Sequence, residues 1–189
     1  MFYHAYHSYI NTYPADEILP ISCQGRFRLK EDSSDIDDSI GNFSLTLVDS
    51  LDTLVMMGDI DEFQVAIKRI TNDLNFNMDI VVSVFETNIR MLGGLLSAHV
   101  LAKSIQNPLD RSIKLVNDSA RSQLDWYQSE LLDLAEDLGR RLLPAFETKT
   151  GIPYPRVNLK YGMHSNQLLS VQETCTACAG SLILEFAHT

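Results

Sequence analysis

Positive charge is in short supply. Only 15 Lys and Arg residues stand against 25 Asp and Glu, a formal net charge of −10. The basic residues are scattered, which argues against nucleic acid or an anionic membrane surface as partner, because both need clustered positive charge. Long apolar runs are missing as well. No stretch approaches the ~18–20 uninterrupted apolar residues of a bilayer-spanning helix. The first residues, MFYHAYHSYINTYP, have neither the basic nor the apolar region of a secretory signal. No fixed-period repeat occurs, which disfavours a regular solenoid. Cysteines number three, Cys23, Cys175 and Cys178, and an odd count predicts a partner elsewhere.

What is present suffices for one globular domain over residues 1–189, with 45% hydrophobic residues to fill its core. Two acceptor sequons, Asn42-Phe43-Ser44 and Asn117-Asp118-Ser119, matter only in the secretory pathway. With the odd cysteine and the uncapped ending LILEFAHT, they favour an internal piece of a longer luminal chain over a cytosolic protein.

Helical periodicity dominates. Leu47, Val48, Leu51, Leu54 and Val55 predict a helix stopped by Gly58, with Thr46, Asp49, Ser50 and Thr53 on its other side. Phe63, Ala66, Ile67 and Ile70 predict a second over 61–74. A third starts within SVFETNIRMLGGLLS (83–97) and runs to about Ser104. Residues 105–122 are polar and irregular, a loop or insertion. Tyr127, Leu131, Leu134, Leu138 and Leu142 form an apolar stripe ended by Pro144. TGIPYPRVNLKYG (150–162) predicts an extended excursion or short hairpin, and a last helix opens near 174–176. The class is all-α, an antiparallel series of helices with little strand.

One helix raises a chemical question. On a wheel of about 100° per residue, Phe85, Ile89, Leu92 and Leu96 cluster, widened by Met91, Leu95, Ala98 and Ala102. Glu86, Arg90, Gly93 and Ser97 share a narrow stripe; Thr87, Asn88 and His99 are the other polar residues. An i,i+4 Glu86–Arg90 salt bridge, with glycines permitting a close helix crossing, is one reading. The other is a cleft in which apolar neighbours keep Glu86 protonated as a general acid, Arg90 orients a polar ligand and the glycines leave it room. Periodicity leaves both open. Asp49 and Asp52 read first as structural carboxylates holding helix ends or neighbouring helices. Glu173 and Glu185 read the same way, although Glu185 interrupts an apolar run and could face an interior.

Four segments go further: FSLTLVDSLDTLVMMGDIDEF (43–63), VFETNIRMLGGLLSAH (84–99), LGRRLLPAFETKTGIPYPRVNLKYG (138–162) and ETCTACAGSLILEF (173–186). In this order they resemble glycoside hydrolase family 47, within it the ER degradation-enhancing α-mannosidase-like branch, which FYHAYHSYINTYPADEILPISCQGR (2–26) also fits. The resemblance implies the N-terminal part of an (α/α)7 barrel whose axis holds a sugar site and a calcium ion, Ca2+. It implies inverting hydrolysis of α-1,2-linked mannose from high-mannose N-glycans on misfolded glycoproteins, in ER-associated degradation. Glu86 matches the family's general acid in the FE[TS] motif, and Arg90 a basic residue facing the sugar pocket.

The family's base, an aspartate, and its calcium-holding threonine match nothing in this sequence, so the resemblance implies truncation at both ends and no turnover by these residues alone. The alternative function is a lectin-like binder of misfolded glycoproteins on the same fold. The implied address is the ER lumen, with membrane association in the full-length form. Cys175-Thr176-Ala177-Cys178 lacks the βαβ context of a thioredoxin-like motif and the further ligands of a zinc site. Small packed residues or disulfide partners remain, and the branch implies contacts with protein disulfide isomerase-type oxidoreductases.

Overall fold

Two layers of helix, tied by two short β-ladders, make up the protein. The computed structural model describes residues 1–28, 37, 39–110, 121–164 and 173–188. In chain order the elements are α1 (Phe2–Ile10), β1 (Glu17–Leu19), β2 (Gln24–Arg26), α2 (Leu45–Met56), α3 (Ile60–Asp73), β3 (Val81–Ser83), α4 (Val84–Glu86), α5 (Gly93–Gln106), α6 (Glu130–Leu142), β4 (Arg156–Asn158), α7 (Thr176–Gly180) and α8 (Ile183–Phe186). A π-helical turn, Thr87–Leu92, joins α4 to α5.

The helices end where their residues dictate. Gly58, with φ 78°, supplies the left-handed conformation that closes α2. Asp59 caps α3 by accepting the Glu62 N–H at 3.2 Å. Asp61 and Glu62 in its first turn suit the helix dipole. In α6, acids open the helix and Arg140 and Arg141 close it, the same complement at both ends. Phe63, Ala66, Ile67 and Ile70 of α3, and Leu131, Leu138 and Leu142 of α6, are buried as their spacing predicts. α2 packs on both α3 and α5, and α6 closes on α5 and α3, so α2 and α5 form one layer and α3 and α6 the other.

The prolyl segment runs extended, as expected: its β4 pairs antiparallel with β3, Val82 opposite Val157, and Asn158 bridges to Gly162 across the turn that follows. The Val84 N–H donates to the Pro155 carbonyl at 2.9 Å, which fixes the start of α4. The final helix is broken into α7 and α8 at Ser181–Leu182, just after Gly180. Of the 105–122 segment, residues 111–120 lie outside the described ones; its start, after Gln106, turns away from helix as expected.

An unforeseen anchor sits between the first ladder and α2. Asp16 is fully buried and its carboxylate accepts four backbone N–H groups: Gly41 at 3.0 Å, Asn42 at 2.6 Å, Phe43 at 2.6 Å and Leu45 at 3.2 Å. Burial pushes this carboxyl up, while the four donors pull it back. They hold the loop through Asn42 and Ser44, both at positive φ, in register with the start of α2.

Candidate active site

An open cleft of about 930 Å³ lies among the helices. One wall is α2, through Val48, Asp49, Asp52 and Met56; another is the π turn and α5, through Ile89, Arg90, Gly93 and Ser97; α8 brings Leu184 and Glu185. Apolar faces interrupted by a few charged groups are the composition that binds a small polar ligand with an apolar side.

Arg90 lies here, and its partner is not the one expected. Its Nε and Nη2 both donate to Asp49 Oδ2, at 2.9 and 2.7 Å, and Nη1 stands 3.9 Å from Glu17 Oε1. Asp49 thus ties α2 to the π turn that leads into α5, the structural role its sequence position suggested. Burial pushes the Asp49 carboxyl up, the Arg90 guanidinium opposes this, and Asp52 and Glu17 add to the rise. Asp52 lines the same wall. Glu185 does face inward: its Oε2 accepts the Asn88 amide N–H at 2.8 Å. Glu173 is exposed.

Glu86 occupies a different place from Arg90. It is half-buried at the C-terminal end of α4, where its backbone N–H donates to Ser83 Oγ at 3.3 Å. Neither Glu86 nor its carboxyl belongs to the lining of the cleft that Arg90, Gly93 and Ser97 share. The single stripe drawn on an α-helical wheel is therefore split. Residues in a π turn each rotate through less than the ~100° of an α-helix, so Thr87–Leu92 offsets Glu86 from the residues that follow. The same winding buries Asn88 fully and Thr87 nearly so, two polar residues that the wheel left unassigned. Among the described residues, the Thr87 Oγ1 and Asn88 Oδ1 atoms are buried without a hydrogen-bond partner. A π bulge is a frequent companion of functional sites, and the α-helical wheel drawn through TNIR does not show it.

The two glycines separate as well. A Cβ on Gly94 would come 2.8 Å from Val48 Cγ1, whereas one on Gly93 would meet only ordinary contacts, 3.5 Å from Glu185 Oε1. Gly94 makes the α2–α5 crossing possible; Gly93 keeps room in the cleft. His99, also on the cleft lining, pairs its Nδ1 with the Tyr127 hydroxyl at 2.7 Å. Burial and the Lys103 charge hold the His99 imidazole below its usual value, partly offset by Asp133.

Of the two sequons, Asn42 is exposed and its Oδ1 accepts the Arg28 N–H at 3.1 Å; Asn117 lies outside the described residues. Cys175 and Cys178 are joined to each other, while Cys23 is free and exposed. Among the described residues no group of three or more His, Cys, Asp or Glu side chains could hold a metal. Calcium takes 6–8 oxygen ligands, and the carboxylates here, Asp49 engaged with Arg90 and Glu185 with Asn88, do not fit that need.

Against known proteins, the family model "Glycosyl hydrolase family 47" matches residues 1–188. ER degradation-enhancing alpha-mannosidase-like protein 3 of Homo sapiens is 50% identical over 191 residues, covering 99% of this chain and 19% of that protein. Its namesake protein 2 of Homo sapiens is 42% identical over 189 residues, covering 99% and 28%. Among solved structures, alpha-1,2-mannosidase from Trichoderma reesei superposes with a TM-score of 0.68 at 28% identity, over 98% of this chain and 34% of that one. The chain thus spans about a fifth to a third of the length of these proteins.

Proposed function

Because this chain belongs to glycosyl hydrolase family 47, we propose that the protein it forms part of is an inverting α-1,2-mannosidase. Its substrate would be high-mannose N-glycans on misfolded glycoproteins. The described helices then form one N-terminal arc of an (α/α)7 barrel, with α2, α5 and α8 toward the axis and α3 and α6 outside. The observation that supports this reading is the cleft itself: α2, the π turn with α5, and α8 put charged and apolar groups on one concave surface, in a chain whose residues 1–188 match the family.

The chemistry assigns roles to two residues. Glu86, which lies outside the cleft lining, takes the family's role of general acid and protonates the departing glycosidic oxygen. Arg90, held in place by Asp49, orients the sugar with the guanidinium N–H groups that Asp49 leaves free. Inversion requires a second carboxylate about 6.5–9.5 Å from the first, with water between them. The family resemblance places that base outside these residues, so this span alone is not expected to turn over substrate. A calcium requirement of the whole protein rests on the same resemblance, and no step above passes through the ion.

The names of the relatives favour an ER address, and we place the protein in the lumen, where Asn42 and Asn117 would carry glycans. Membrane association and contact with protein disulfide isomerase-type oxidoreductases belong to the full-length form.

The test is proton NMR of mannose released from a high-mannose glycan by the protein that carries this chain. The β-anomer appearing first is expected. The α-anomer appearing first contradicts inversion, and glycan binding with no release favours the lectin-like alternative.

A further inference from the structure

The Cys175–Cys178 pair plays no part in the glycosidase reading, and its surroundings are those of a reactive bond. The disulfide spans a sequence separation of 3, so it removes little chain entropy from the unfolded state. It locks no core either: α7 buries none of its residues. Cys175 is exposed and Cys178 half-buried. Exposed disulfides are the labile ones, open to an attacking thiolate. The Cys178 N–H, in addition, donates to Cys175 Sγ at 2.9 Å, a contact that steadies negative charge on that sulfur when it leaves the mixed disulfide.

We propose that Cys175–Cys178 is a thiol–disulfide exchange site for dithiols, one that responds to the redox state of its compartment and does not catalyse exchange in other proteins. In the first step a dithiol's thiolate attacks the exposed Cys175 Sγ. The Cys175–Cys178 bond breaks, and its electron pair leaves on Cys178, which takes up a proton. The dithiol's second thiolate then attacks the dithiol sulfur of the mixed disulfide and releases Cys175. The dithiol ends as a disulfide, oxidised by two electrons, and the cystine ends as two thiols, with two protons passing between them. The α7 turn packs against α4, so the state of the bond is felt beside Glu86.

The test is independent of any glycosidase activity, so its failure and that of the mannosidase reading are distinguishable. The intact protein, not denatured, is alkylated with iodoacetamide before and after mild treatment with dithiothreitol, and the adducts are located by mass spectrometry. The expected result is no label on Cys175 or Cys178 at first, label on both after dithiothreitol, and none on either again once oxidised dithiothreitol is supplied, with the helical circular dichroism unchanged throughout. Amide exchange over Val84–Glu86 should speed up in the reduced form. Cysteines 175 and 178 that stay unlabelled until the protein unfolds would overturn the proposal, as would labelling before any reductant; unchanged protection over Val84–Glu86 would overturn the link to α4.

Discussion

Asp16 shows how much a single side chain can organise. Four backbone donors converge on it, so Asp16→Ala strands all four in a dry site. The loss should be at least about 3 kcal/mol, read from chemical denaturation; a change under about 1 kcal/mol would show that the loop finds other acceptors. Nothing in YPADEIL distinguishes this acid from its neighbours, because its acceptors' partners lie some 25 residues on in sequence. His99 carries a pH prediction. Its folded-state pKa is lowered, so the unfolded chain binds more protons as pH falls through the ordinary value of about 6.5, and stability falls with it. Between about pH 7.5 and about pH 5.5 the wild type should lose more stability than His99→Gln, measured by denaturation midpoints. Equal losses would contradict the assignment. The Arg90–Asp49 pair is different. With the side chains 28% and 33% exposed, it contributes about 1 kcal/mol or less, so its place in the cleft matters more than its contribution to folding.

At the scale of elements, α2, α3 and α6 were legible because a buried stripe repeats every three or four residues and caps mark its ends. α4 to α5 was legible as a helix but not in its phase. A wheel assumes one winding throughout, and the π turn at Thr87–Leu92 breaks that assumption at the residues that matter most. Pairing of β4 with β3 was hidden for a related reason: its partner strand is three residues long and more than seventy residues earlier. The glycine pair tests the crossing directly. Gly94→Ala pushes a methyl against the stiff, β-branched Val48 and should destabilise by about 1–3 kcal/mol. Gly93→Ala, which meets no such obstacle, should leave stability unchanged or raise it by about 0.5–1 kcal/mol, as measured by thermal or denaturant unfolding. The reverse order would mean that Gly93, not Gly94, faces α2.

For the molecule as a whole, the layered helices and the cleft agree with the family that the sequence resembled. The site is only partly legible. Arg90 lines the concavity, but its carboxylate partner comes from another helix, and a contact across 41 residues leaves no trace in local spacing. Glu86, singled out for its charge in an apolar run, is half-buried and absent from the lining of the cleft that holds Arg90, an offset that a wheel does not show. The most direct measurement is therefore mannose release from a high-mannose glycan by the protein carrying this chain, with Glu86→Gln beside wild type and glycan binding followed in parallel. Loss of the acid should slow turnover by about 10²–10⁴-fold while binding stays within a few-fold. Turnover within a few-fold of wild type would contradict the account at its centre.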